Sequence, residues 1–173
     1  MSYVDQNLEA GEVVRYRTRL HWAVLIVPIL ALVFVGIPGL TLTIMAMTSK
    51  NVENPMESRL GIGLLGACML AIPVIVLVVA ILRRATSEFA VTSKRVIIKV
   101  GAISTKTFEL FLNKIESVGV NQDLFGRLFG YGTILVRGTG GGLEPFSCIV
   151  DPLEFRKRVQ LEIGQNTAAG SQG

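Results

Sequence analysis

Residues 22–49 read WAVLIVPILALVFVGIPGLTLTIMAMTS, and residues 60–82 read LGIGLLGACMLAIPVIVLVVAIL. Neither run holds a formally charged side chain. A helix rising about 1.5 Å per residue needs about 20 apolar residues to cross a hydrocarbon core about 30 Å thick. Both runs are long enough, with room for tilt, and both lack the charged stripe that marks the wet face of a surface helix. A chain of 173 residues is too short to wrap two such helices on every side as soluble core. The runs therefore predict transmembrane helices at 22–49 and 60–82. The N-terminal stretch MSYVDQNLEAGE is acidic where a secretory leader is basic, so the first run reads as a retained span.

Composition agrees. Half the residues are hydrophobic, 17% are charged and mean hydropathy is +0.54, whereas ordinary soluble domains carry about 25% charged residues. A net charge of +4 is mildly basic, well short of a nucleic-acid-binding composition, and no nucleic-acid partner is expected. Orientation follows from the flanks. Arg15, Arg17 and Arg19 precede the first run and Arg83 and Arg84 follow the second, against Lys50 and Arg59 in the connecting loop at 50–59. Lys/Arg-rich flanks stay inside, so both termini are expected in the cytoplasm and the loop outside. Trp22 sits where an interfacial anchor belongs, and the neighbouring His21 reads as a headgroup-level polar residue.

Within the runs, Gly36-Ile37-Pro38-Gly39 should loosen the first helix. Gly63, Ala67 and Ala71 repeat every four residues and are expected to pack against the first helix, with self-association of the chain as the alternative. Gly61 to Gly66 spells GxGxxG, but no strand precedes it and an apolar helix follows, so the match to a dinucleotide fingerprint is accidental.

After Arg84 the texture turns to short strand-like runs at 88–92, 95–100, 105–112, 115–120, 131–137 and 143–150, separated by turn residues. Gly138 to Gly142 reads as a hairpin turn, because no Lys-Ser/Thr follows to make a phosphate loop. Asp151-Pro152-Leu153-Glu154 opens an amphipathic helix to about Ile163. The polar residues 164–173 read as a disordered tail. Between the fourth and fifth runs, DLFGRLFG places Leu124, Phe125, Leu128 and Phe129 at helical spacing. This is expected to be a short turn plugging the core, with a ligand contact by Arg127 as the alternative. In the N-terminal arm, residues 1–21, Val14, Tyr16, Thr18 and Leu20 alternate with arginines. That pattern reads as an extra strand at 13–20, with a helix running into the first span as its rival.

The strings AVTSKRVIIKVG, LNKIESVGVNQDLFGRLFGYGTILVRGTGG and the closing PF…IVDPLEF resemble the bacterial membrane-flanked pleckstrin-homology-like domain, the second bacterial type. The likeness covers about Thr86 to Ile163, and the paired spans and upstream GEVV…RLHW also fit. It implies a chain of membrane α plus all-β class: a two-helix transmembrane hairpin at 22–49 and 60–82, then a PH-like antiparallel β-barrel or sandwich at 86–163 capped by a C-terminal helix. It implies little about activity, since a fold does not fix a function.

No catalytic or cofactor-binding constellation is readable, and no metal site. His21 is the chain's one histidine, and Cys68 and Cys148 are its only cysteines, read as inert buried thiols. What remains is charge near a bilayer. Arg83, Arg84, Lys94, Arg95 and Lys99 are the candidate contacts to anionic headgroups, each contributing on the order of 1 kcal/mol near such a surface. In eukaryotic domains of this fold the first hairpin loop often binds inositol phosphates, and the resemblance places Lys94-Arg95 in the corresponding turn. The expected function is a non-enzymatic, membrane-anchored adaptor that recognises a protein partner or another copy of itself. The alternative is an anionic-lipid-binding or lipid-sensing module. A transporter is disfavoured, because no ionisable group occupies either span.

Overall fold

The computed structural model describes residues 3–48, 56–101 and 104–170. The chain forms two compact units. One is Val24–Leu82, and the other is assembled from both ends of the chain, Met1–Ala23 with Arg83–Gly173.

The first unit is a pair of helices, drawn from Trp22–Thr48 and Met56–Thr86, both long and apolar enough to cross a membrane. The second helix overruns the expected 60–82 at each end. Glu57 in its first turn and Arg83 and Arg84 in its last match the helix dipole and extend it. Of the expected loop at 50–59, residues 50–55 lie outside the described residues and 56–59 are helical. In the first helix, Leu32–Gly36 form a π-helical turn directly before Ile37-Pro38. Pro38 has no N–H to donate, so the ladder is loosened just upstream of it.

The helix contact differs from the expected one. Ala67 and Ala71 are exposed; the packed face of the second helix carries Gly63, Gly66, Leu70 and Pro73. The crossing is fixed at Gly39 and Gly66, where a Cβ added to Gly66 would stand 2.6 Å from the Gly39 carbonyl oxygen. Only glycine at both points lets the backbones approach this closely. A Cβ on Gly63 would lie 3.6 Å from that of Ala46, inside the span of about 3.5–4.5 Å that a disulfide needs. With Cys68→Ser removing the nearby thiol, the pair Ala46→Cys and Gly63→Cys should therefore oxidise readily. Adding Gly66→Val, an overpacking that costs about 1–3 kcal/mol, should slow or abolish that disulfide on a non-reducing gel.

Among the described residues the second unit holds seven strands: β1 (Val14–Thr18), β2 (Glu88–Thr92), β3 (Arg95–Val100), β4 (Lys106–Phe111), β5 (Ile115–Asn121), β6 (Tyr131–Gly138) and β7 (Leu143–Val150). They make a four-stranded antiparallel sheet, β1-β2-β3-β4, and a three-stranded one, β5-β6-β7. The arrangement is a sandwich of two sheets and not a closed barrel. The sheets meet at one corner, where Leu20 bridges Ile149, His21 N–H donates to the Cys148 carbonyl at 2.7 Å and Val150 N–H donates to the Arg19 carbonyl at 3.1 Å. The N-terminal arm is a strand and not a helix, with Arg17 opposite Ala90 and Thr18 opposite Phe89.

The two apolar helices thus lie in sequence between β1 and β2, which are neighbours in one sheet. The inner faces supply Phe89, Val91, Val96 and Ile98 from one sheet and Val118, Ile134, Val136 and Ile149 from the other, and the closing helix adds Phe155 and Val159. β2 and β3 are buried on their outer face as well, because Val4, from the helical turn Tyr3–Gln6, covers Ala90 and Ile97. That explains why these strands are apolar throughout instead of alternating. The closing helix, Pro152–Gly170, runs past Ile163 into the expected tail. Asn166 Nδ2 there donates to the Ser93 carbonyl at 3.0 Å, tying the extension to the β2–β3 turn.

Candidate functional site

The β2–β3 hairpin separates the five candidate cations. Glu88 pairs with Lys99 at one end and Val91 with Val96 near the other. Arg83 and Arg84 precede the first end, and Lys94 and Arg95 form the opposite tip, four residues or roughly 13 Å away along the strand. No single five-residue patch exists.

The tip is built as an internal ion network. Arg95 Nη2 lies 3.0 Å from Glu12 Oε2, and its Nη1 lies 3.0 Å from Glu109 Oε2. Arg95 also donates to the Asn7 carbonyl at 2.8 Å. Its side chain is only 11% exposed, and that of Glu12 is fully buried. Glu12 accepts further hydrogen bonds from Thr92 Oγ1 at 2.6 Å and Glu9 N–H at 2.9 Å. Burial alone would raise the Glu12 carboxyl, but those hydrogen bonds and the Arg95 charge outweigh it and hold it below its ordinary value. Lys94 Nζ sits 3.0 Å from Glu9 Oε2. At the other end, Lys99 Nζ lies over the Tyr3 ring at 4.7 Å, Arg83 is exposed, and Arg84 Nε donates to the Leu20 carbonyl at 3.4 Å. The cations are divided: the tip pair is committed to carboxylates, and the junction pair lies where the chain passes between apolar helix and sheet.

That junction is ringed by aromatic side chains. His21 lies between Trp22 (5.3 Å between ring centroids) and Tyr131 (5.2 Å, stacked), and Trp22 meets Phe129 edge-on at 5.9 Å. His21 is 8% exposed, so it is a buried part of the sheet corner. Its burial chiefly pushes the imidazole below its ordinary value, and the Arg84 cation adds to this against weaker opposite pulls from Asp151 and the Phe129 backbone. The neutral ring is favoured by folding. Its stabilisation is whole above the unfolded value of 6.5 and is lost as pH drops from there through the folded value. Because the chain has one histidine, its imidazole resonances should titrate with a midpoint below 6.5. A midpoint at or above that value contradicts the buried placement.

The short helix Leu124–Phe129 departs furthest from the sequence reading. Asp123 caps it, accepting from Gly126 N–H at 2.7 Å, and Gly130 closes it at φ 73°. Only Gly126 is buried. Leu124, Phe125, Leu128 and Phe129 are 79%, 62%, 75% and 46% exposed, so they plug nothing. Helical spacing was readable in this string, but its direction was not. The signal lay in Gly126, whose missing side chain lets the helix lie against the Tyr131 backbone and turns the bulky residues outward; a Cβ there would stand 2.6 Å from the Tyr131 carbonyl oxygen. Arg127, the alternative ligand contact, is exposed beside Gln122, Asp151 and Glu154 in an open groove. Cys68 faces outward from the apolar helix Met56–Thr86, and Cys148 is half-buried at φ 58° in β7. Burial raises the Cys148 thiol away from the reactive thiolate range. Among the described residues no group of three or more His, Cys, Asp and Glu side chains is placed to hold a metal.

Two antiparallel sheets of four and three strands, closed by a C-terminal helix, define a pleckstrin-homology-like domain, a class that in general binds lipids or proteins and performs no chemistry. The chain belongs to the bacterial PH domain family, whose pattern matches residues 20–163. No curated protein and no solved structure matches it. The matched stretch includes both apolar helices and β2 to β7.

Proposed function

We propose that the protein is a non-enzymatic adaptor, anchored in the bacterial cytoplasmic membrane by its two apolar helices, that holds its PH-like domain against the inner leaflet to recognise a protein partner. The observation that carries this reading is the insertion of both helices between β1 and β2. A domain on a single flexible tether can roam. This one is joined to the helices by two stretches of chain, and Leu20 and Arg84, at the two ends of the insertion, are themselves joined by a hydrogen bond.

The tip network favours the adaptor over a lipid sensor. A headgroup bound at Lys94-Arg95 would compete with Glu9, Glu12 and Glu109 for the same cations. Headgroup contact falls instead to Arg83, Arg84 and Lys99 at the junction end, as general attraction to an anionic leaflet. For a protein partner the fold offers β4, which among the described residues pairs only with β3 and leaves its other edge to receive an added strand. Photo-crosslinking of the full chain in native membranes, with the probe at Thr107 on β4 or at Lys94 on the tip, tests this. The adaptor reading expects discrete protein adducts, including any with a second copy, from Thr107. Lipid adducts alone, concentrated at Lys94, would favour the lipid-sensing alternative.

A further inference from the structure

We infer that the short helix Leu124–Phe129 is a membrane-contact element: it lays Leu124, Phe125, Leu128 and Phe129 into the interfacial layer of the same leaflet that the first apolar helix enters at Trp22. This rests on the proposal that Trp22–Thr48 and Met56–Thr86 cross the bilayer. An aromatic residue at the head of a span sits at the membrane–water interface. Phe129 shares that level, because its ring lies 5.9 Å from the Trp22 ring.

The helix is held rigidly. Asp123 caps its start, Gln122 Nε2 donates to the Tyr131 carbonyl at 2.9 Å, and Gly126 lies against the Tyr131 backbone. Large exposed apolar side chains on a fixed element are the pattern of an interfacial helix and not of a core segment. Arg127, on the same helix, is exposed as well. The occupant that fits an exposed apolar helix in contact with Trp22 is therefore the bilayer interface.

The test uses full-length protein in vesicles of phosphatidylethanolamine and phosphatidylglycerol carrying brominated acyl chains, which quench indole fluorescence on contact. Trp22 is the only tryptophan, so Trp22→Phe gives a dark background for Leu128→Trp, Leu124→Trp and, as a report on the second apolar helix, Leu65→Trp. All three positions are more than half exposed, so folding should tolerate the change. The inference expects blue-shifted emission and bromine quenching at 128 and 124 as well as at 65. Quenching at 65 alone overturns the inference and leaves the anchor standing, with the apolar patch then left to a protein partner. No quenching at 65 overturns the anchor itself. Blue-shifted emission at 128 that bromine does not reach also overturns the inference, since protein and not lipid would then cover the helix.

Discussion

A fragment running from Thr86 to Ile163, the stretch that carries the sequence resemblance, is expected not to fold. Without β1 the edge of β2 loses its partner from Thr18 to Val14. Without Tyr3–Gln6 the outer faces of Ala90 and Ile97 lose Val4. Arg95 keeps Glu109 but loses Glu12 and Glu9, and Phe155 loses the edge-on contact with Tyr16 at 6.3 Å. An exposed β edge, an uncovered apolar face and a stranded guanidinium together exceed the margin of about 5–15 kcal/mol that a domain has to spare. A protein joining residues 1–21 to 84–170 through a short Gly/Ser linker should fold, because the Leu20 carbonyl and Arg84 Nε are 3.4 Å apart. Amide-resonance dispersion and cooperative melting distinguish the two. A fragment that melts as cooperatively as the linked protein would show that β1 merely decorates the sheet.

Glu12→Ala is expected to be the most damaging single substitution outside the core. It takes the buried carboxylate away from a largely buried guanidinium, leaving it Glu109, Glu9 and the Asn7 carbonyl, and removes one of the two acceptors of the buried Thr92 hydroxyl, the other being the Arg95 carbonyl. Breaking a buried pair from one side costs about 3–5 kcal/mol, whereas replacing both partners by apolar residues costs far less. Thermal unfolding of the full chain in detergent, followed by Trp22 emission, should therefore show a large loss for Glu12→Ala and a smaller one for Glu12→Leu with Arg95→Leu. The sign with pH is fixed. The folded carboxyl lies below its unfolded value of 4.5, so its contribution is present above that pH and is lost as pH falls through the folded value. The gap between the native protein and Glu12→Gln should narrow below about pH 4.5. Equal costs for the single and double changes would mean that Arg95 finds another partner or water.

Local pattern was enough to locate most strands. Residues 88–92, 95–100 and 143–150 are strands to the residue, because each run of β-formers is closed by glycine, proline or a Ser-Lys turn. What escaped is whatever depends on distant parts of the chain. MSYVDQNLEAGE has no periodicity, yet Val4, Glu9 and Glu12 are held against β2 and β3 by partners more than 80 positions away in sequence. Basic residues close together in sequence were expected to act as one surface, but a hairpin sends its two ends apart, and carboxylates from the N-terminal segment absorb the tip pair. The repeat Gly63-Ala67-Ala71 was a plausible packing stripe, but helix approach is governed by the tightest point, and Gly39 against Gly66 sets it.

The central claim is that the two apolar helices fix the PH-like domain to the cytoplasmic face, and it is tested by where each part of the chain resides. A fluorescent protein that matures only in the cytoplasm and a phosphatase active only outside it can each be fused after Ile163 or within the loop at residue 52. The account predicts fluorescence without phosphatase activity after Ile163, phosphatase activity at residue 52, and a chain that alkaline carbonate leaves in the membrane pellet. Phosphatase activity after Ile163, or release of the chain by carbonate, would contradict it.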